Sequence, residues 1–286
     1  MFRRIKSGWQ LTRKSWGVLR SEPNLIRFPI VGGLISLAIA VVFLAPGAYF
    51  LDGDPAALGV VLIAIGAYLI AFAGYYFSVG LAANADRHMR GEEISFGTGM
   101  KVASSRMSAI AGWAFVATVV MTIIRAIQER FGVAGAIFGA LAAVGWALIT
   151  FLAVPVIAFE GTGPFATIKR CSHLLKSRWG EQITGNIAIG GAVFFIGILP
   201  AVIFISGGIL LWATSGVGGG ILIGIGAVVL IVAMLVQQSL STIFGVALYR
   251  YAAAGEAVGS FTQEEVESAV RVKKGRGGAT PSAGTI

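Results

Sequence analysis

Apolar residues in this chain fall in long unbroken blocks rather than in alternation with polar ones. Six blocks stand out, approximately Phe28–Leu51, Ala57–Ala83, Met107–Ile124, Phe131–Phe159, Ile183–Trp212 and Gly220–Tyr249, and none contains Asp, Glu, Lys, Arg or His. A block of about 18 or more such residues, coiled as a helix, reaches across a hydrocarbon core about 30 Å thick. The pattern therefore predicts an all-α, polytopic transmembrane bundle of six spans over residues 28–254. The later blocks are longer than a span needs, which predicts tilt or projection beyond the bilayer. Pro155 and Pro200 lie inside the fourth and fifth blocks, where each removes a backbone donor and predicts a kink.

Composition agrees with this reading. Of 286 residues 56% are hydrophobic and 12% charged, with a mean hydropathy of +0.84, outside the range of soluble domains. The first block opens only at Phe28, behind a long basic lead, so it reads as a signal anchor and not a cleaved leader. One cysteine cannot form an internal disulfide.

The net charge of +9 would suit a nucleic-acid binder, but its distribution belongs to a membrane protein. Twenty of the 22 Lys and Arg residues fall in the N-terminal segment, the second-to-third connection, the fourth-to-fifth connection and the C-terminal part. Arg125 and Arg130 are the two exceptions. Basic residues near span ends resist translocation, so this asymmetry predicts a cell-membrane protein with both termini cytoplasmic. Nucleic acid is not an expected partner.

Polar segments before the odd-numbered blocks carry helical periodicity. In residues 1–27, Phe2, Ile5, Trp9, Trp16 and Leu19 share an arc, with Arg3, Arg4, Lys6, Arg13 and Lys14 among the flanking cations. In "FATIKRCSHLLKSRW", Phe165, Ile168, Ser172, Leu175 and Trp179 share a face, while Lys169, Arg170, His173, Lys176 and Arg178 surround it. A shorter copy places Phe96, Met100, Ala103 and Met107 together. These segments predict helices in the bilayer interface, with tryptophan at headgroup depth and cations on anionic lipid. Three copies of one surface helix plus two spans suggest an internal repeat.

Candidate chemistry is sparse. Cys171 and His173 stand two apart on a helix and diverge, so they do not make a nucleophile and its base, and Cys171 reads as a packed thiol. His88, Asp86, Glu92 and Glu93 cluster in "NADRHMRGEE", but Arg87 and Arg90 between them predict a salt-bridged loop rather than a metal site. No cofactor, metal or catalytic residue is expected. The polar intramembrane residues are Gln237, Gln238, Ser241 and Thr242 in the sixth block and Asn186 in the fifth. Interhelical hydrogen bonds are their ordinary role, and a substrate-lining face is the alternative. Gly135–Gly139 and Gly220–Gly224 have the spacing of close helix contacts. After Gly255, Thr262 and Glu265 form a capping box ahead of a short helix, from about Gln263 to Val272. A flexible basic end follows, so residues 255–286 read as a cytoplasmic tail.

Three stretches, "KSWGVLRSEPNLIRFPIVGGL", "WALITFLAVPVIAFEGTGPFATIKRCSHLLKSRWGE" and "FTQEEVESAV", resemble an uncharacterised prokaryotic family of six-span integral membrane proteins. That family is similar to the membrane domain associated with glycerophosphodiester phosphodiesterases. The resemblance implies a fold and a location. It does not imply hydrolysis, because the acidic and histidine ligands of the soluble phosphodiesterase have no counterpart in this sequence. The expected function is a non-enzymatic membrane component that binds lipids or a partner, with anionic headgroups, another membrane protein or a second copy as candidates. The alternative is a transporter or channel for lipid-like or small solutes.

Overall fold

The computed structural model describes residues 15–51, 53, 55–179, 194–212 and 214–255. The expectations for Arg3, Arg4, Lys6, Trp9, Arg13, Lys14, Asn186 and the tail beyond Gly255 lie outside these residues, as do those for the side chains of Lys176, Arg178 and Trp179. Among the described residues the secondary structure is entirely helical. After helical residues 15–21, α1 runs Pro23–Ile39, passes through a π-helical turn at Ala40–Leu44 and ends as Ala45–Leu51. Then follow α2 (Ala56–Met89), α3 (Phe96–Ser105), α4 (Met107–Arg130), α5 (Gly132–Thr150), α6 (Ala153–Glu160) and α7 (Pro164–Trp179). A second π turn (Phe194–Ile198) leads into α8 (Leu199–Trp212), and α9 (Gly216–Ala254) closes the described chain.

Among the described residues four helices are long and apolar enough to cross a membrane: Asn24–Leu51 within α1, α2, α4 and α9, at 28, 34, 24 and 39 residues. At 1.5 Å per residue even the shortest exceeds the hydrocarbon core of about 30 Å. The fourth block does not form one rod. It divides into α5 and α6 at Phe151–Leu152, and Pro155 explains the division, because it has no N–H for the Phe151 carbonyl and its ring crowds that oxygen. The helix before Pro200 responds differently. Its backbone widens into the π turn Phe194–Ile198, and the turn Ala40–Leu44 likewise precedes Pro46. Widening to i→i+5 bonding moves the opposed carbonyl away from the ring.

The second block continues as helix well past its apolar part. Asn84–Met89, expected as loop, are the last turns of α2, and Gly91 at φ 77 reverses the chain after them. The continuation carries Asp86, Arg87 and His88 on a rigid element.

Consecutive helices pair by close backbone approach. A Cβ on Gly59 would lie 2.7 Å from the Gly47 carbonyl oxygen, and one on Gly219 would lie 2.7 Å from that of Gly208. The likeness extends further along both pairs: Gly47 and Gly208 press on Ile63 and Ile223, and Gly66 and Gly226 sit seven residues beyond Gly59 and Gly219. The hairpins α1–α2 and α8–α9 thus share one packing scheme. Between them, Gly135 meets the Ile127 carbonyl and Gly139 meets Gln128 across the α4–α5 pair. The Gly220–Gly224 spacing is not used: Gly224 has open space beside it, and Gly219 and Gly226 make the contact instead.

Buried side chains gather at one end of the bundle. Val79, Ala82, Trp113, Leu152, Ile157, Phe244 and Leu248 belong to one cluster, and Leu25, Phe28, Phe77, Leu81 and Ile243 to a second. The remaining helix length exposes large apolar side chains, among them Leu34, Val61, Leu210 and Val217. Such continuous apolar surface is stable against lipid and not against water. The architecture is that of a membrane-embedded protein.

Candidate functional site

The chemistry-bearing residues converge where the core is densest, at the end formed by the close of α2, α6 and α9 and the start of α4. Asp86, buried on the last turns of α2, accepts from Arg250 Nε at 2.7 Å and from Arg250 Nη2 at 2.5 Å. Arg90, one turn on, adds a contact of 3.4 Å. The Arg250 guanidinium also lies over the Phe159 ring, 4.6 Å from its centroid. Removing a carboxylate and a guanidinium from water is costly, and the two-pronged geometry offsets that cost.

A second carboxylate completes the cluster. Glu160, last residue of α6, accepts from Arg170 Nε at 2.7 Å and from Tyr249 Oη at 2.8 Å. It therefore joins α6, α7 and α9, while Phe159 and Tyr249 pack at 5.3 Å alongside. The hydrogen bond that Arg170 donates to Glu160 raises the pKa of Arg170 above its ordinary value. Gly161, at φ 65, ends α6 and turns the chain into α7.

The helix α7 turns Thr167, Cys171 and Leu174 inward. This stripe follows the i, i+4, i+7 spacing of a docked helix. It differs from the expected arc of Phe165, Ile168 and Ser172: Ile168 is partly buried, and Phe165 is 77% exposed beside exposed Lys169. Cys171 is buried and its thiol is pushed up to about 12, first by desolvation and then by the Glu160 charge. His173 is exposed on another face, so the two do not meet.

Short polar contacts fix α3 to the same end. Asn84 donates to the Ser95 carbonyl at 2.7 Å and accepts from Thr98 Oγ1 at 2.9 Å, while Ser95 and Thr98 cap the helix reciprocally. Phe96 and Met100 then pack with Phe28 and Leu81, and Ala103 is buried, whereas Met107 of the expected face is exposed. His88 sits 2.9 Å from Ser21 Oγ and Arg87 pairs with Glu92 at 3.8 Å. Among the described residues no three His, Cys, Asp or Glu side chains converge as metal ligands. Val18 and Leu19 face inward, and Trp16 is 43% exposed.

The intramembrane amides are divided. Gln238 donates to Ser78 Oγ at 2.7 Å, joining α9 to α2, and Ser78 passes the bond on to the Gly74 carbonyl. Thr242 donates to the Gln238 carbonyl within α9. Gln237 donates to Ser241 Oγ at 3.3 Å, and its buried Oε1 has no hydrogen-bond partner. These residues stand out in the sequence, whereas Asn84, Glu160, Tyr249 and Arg250 do not, and Asp86 belongs to the last turns of α2 and not to a loop as its sequence neighbours suggest. The available signal was position: a carboxylate at or just past the end of an apolar block has little water and needs a cation from another helix.

No curated protein and no solved structure matches this chain. A family model does: it is described as a family of unknown function, DUF6159, and it matches residues 57–259. That match takes in α2 through α9 and with them Asp86, Arg106, Glu160, Arg170, Tyr249 and Arg250, so the chain belongs to the family of unknown function DUF6159.

Proposed function

We propose that this protein is a six-span, non-enzymatic component of the cell membrane, and that its charged end is a cytoplasmic face that engages anionic lipid headgroups. One observation carries the reading. The two carboxylates inside this end are spent there, Asp86 on Arg250 and Arg90 and Glu160 on Arg170 and Tyr249, while Glu92 pairs with Arg87 and Glu93 is the exposed carboxylate left over against several exposed cations. Exposed Arg20, Arg27, Lys101 and Lys169 make no ion pair among the described residues. Phe165 and Trp16, exposed among them, suit the headgroup boundary. With α5–α6 and α8 counted beside the four long helices, an even number of spans returns the chain to the side where it began, in keeping with the asymmetry of Lys and Arg. The likeness to the membrane domain associated with glycerophosphodiester phosphodiesterases fits a lipid-facing role of this kind, without hydrolysis.

Each basic residue near an anionic surface contributes about 1 kcal/mol. Protein purified from bilayers of phosphatidylcholine and phosphatidylglycerol is therefore expected to retain phosphatidylglycerol in excess. The double change Lys101→Gln and Lys169→Gln should lower that preference about 20- to 30-fold, as two such contributions require. Equal retention of the two lipids by the unaltered protein would count against the proposal.

A second reading, a carrier or channel for small solutes, is favoured by the Gln237 Oε1 atom, an unpartnered acceptor within α9. Gln237→Leu separates the two readings. It removes an unsatisfied polar atom and raises stability if the bundle is only a scaffold, and it abolishes flux if the amide lines a path.

A further inference from the structure

Arg106 joins α3 to α4 and is held by backbone bonds on both sides, its N–H donating to the Ala103 carbonyl and its own carbonyl accepting from Ile110. Its side chain is partly buried and reaches across to the α6–α7 turn, where the guanidinium occupies the space that a Cβ on Gly161 would fill. The buried Nε donor has no hydrogen-bond partner, and the guanidinium makes no ion pair among the described residues. Arg170 and Arg250, at the same end, each have a carboxylate. Glu160, adjoining Gly161, is already taken by Arg170 and Tyr249. A buried donor of an ionised group without an acceptor is expensive, and the described residues supply none for this Nε.

The missing acceptor has a defined chemistry. Arg106 stands one residue before the first apolar turn of α4, a helix that spans in the reading above, and so lies at the depth of lipid phosphates. A guanidinium fork matches phosphate oxygens in pairs, which an ammonium does not. Exposed Lys101 and Lys169 add charge at the same end. We infer that Arg106, seated against Gly161, is a binding site for a phosphate group, as carried by an anionic phospholipid headgroup or by free phosphate. The inference rests on the placement of this end at the membrane surface.

The test uses the full chain in nanodiscs. In one arm, discs of phosphatidylcholine and phosphatidylglycerol are exchanged into detergent and the phosphatidylglycerol still bound is counted by native mass spectrometry. In the other, inorganic phosphate is added to phosphatidylcholine discs and the melting temperature followed. Arg106→Gln should weaken retention of one phosphatidylglycerol about ten- to hundredfold, the range expected for lost hydrogen bonds to a charged group. Arg106→Lys should fall between, and Arg125→Gln should match the unaltered protein. If inorganic phosphate raises the melting temperature in an Arg106-dependent way while lipid retention does not depend on Arg106, the site stands and its ligand is free phosphate. If Arg106→Gln equals the unaltered protein in both arms, the inference is overturned. The lipid-facing reading survives that result only where Lys101→Gln and Lys169→Gln still reduce retention. Should Arg106→Gln fail to fold, Arg106→Lys decides: binding in both arms equal to the unaltered protein overturns the inference, and weakened binding upholds it.

Discussion

Arg250 and Asp86 sit at the end of the densest packing with most of their water removed, and each is tolerated there because of the other. Deleting Arg250 takes the two-pronged bond from Asp86 and leaves it the longer Arg90 contact, at about 2–4 kcal/mol once the partial exposure of Arg250 is allowed for. Arg250→Gln is therefore expected to lower the melting temperature clearly, whereas the paired change Asp86→Leu with Arg250→Met should recover most of the loss. Cys171 offers a second prediction at this scale. Its thiol is raised from an ordinary 9.0 to about 12, so the folded protein binds that proton more tightly than the unfolded chain. The associated stability is fully present below pH 9 and is lost as pH rises through 12. Alkylation by iodoacetamide should accordingly be negligible at neutral pH in the folded protein and rapid once it is unfolded. Fast labelling of the folded protein at pH 7 would contradict the buried position of the side chain.

At the scale of elements, the glycine contacts decide how the helices pair. Gly219 has a neighbouring carbonyl 2.7 Å from where its Cβ would stand, so Gly219→Ala forces the α8–α9 hairpin apart and costs about 1–3 kcal/mol. Gly224→Ala meets nothing within 4 Å and, by gaining helix propensity, should be neutral or stabilising. Thermal denaturation of the two variants side by side measures this difference. It also shows what the chain made legible. Pro155 could be read as a helix break because its cause is local, a missing N–H and a ring. Gly220–Gly224 suggested a contact by its spacing alone, yet the partner helix meets Gly219 and Gly226. Which face of a helix meets its neighbour depends on how far that neighbour is rotated, and no local pattern carries this. The same holds for α7, where Thr167, Cys171 and Leu174 face inward although Phe165 and Ile168 are the more apolar residues.

At the scale of the molecule, long apolar blocks foreshadowed a membrane-embedded helical protein, because they are a property of composition along the chain. The polar cluster was not foreshadowed, because Asp86 and Arg250 lie 164 positions apart and meet only when α2 and α9 are laid together. In our account the cluster consumes its own carboxylates and leaves cations facing outward on the cytoplasmic side. The side on which this end lies is therefore the central claim. Single cysteines at Gly53, Lys101 and Lys169, in a Cys171→Ser background, can be treated in intact cells with a membrane-impermeant maleimide and again after the membrane is opened. The account predicts that the cysteine at 53 reacts in intact cells and that those at 101 and 169 react only after opening. Reaction of the 101 and 169 positions in intact cells would contradict it.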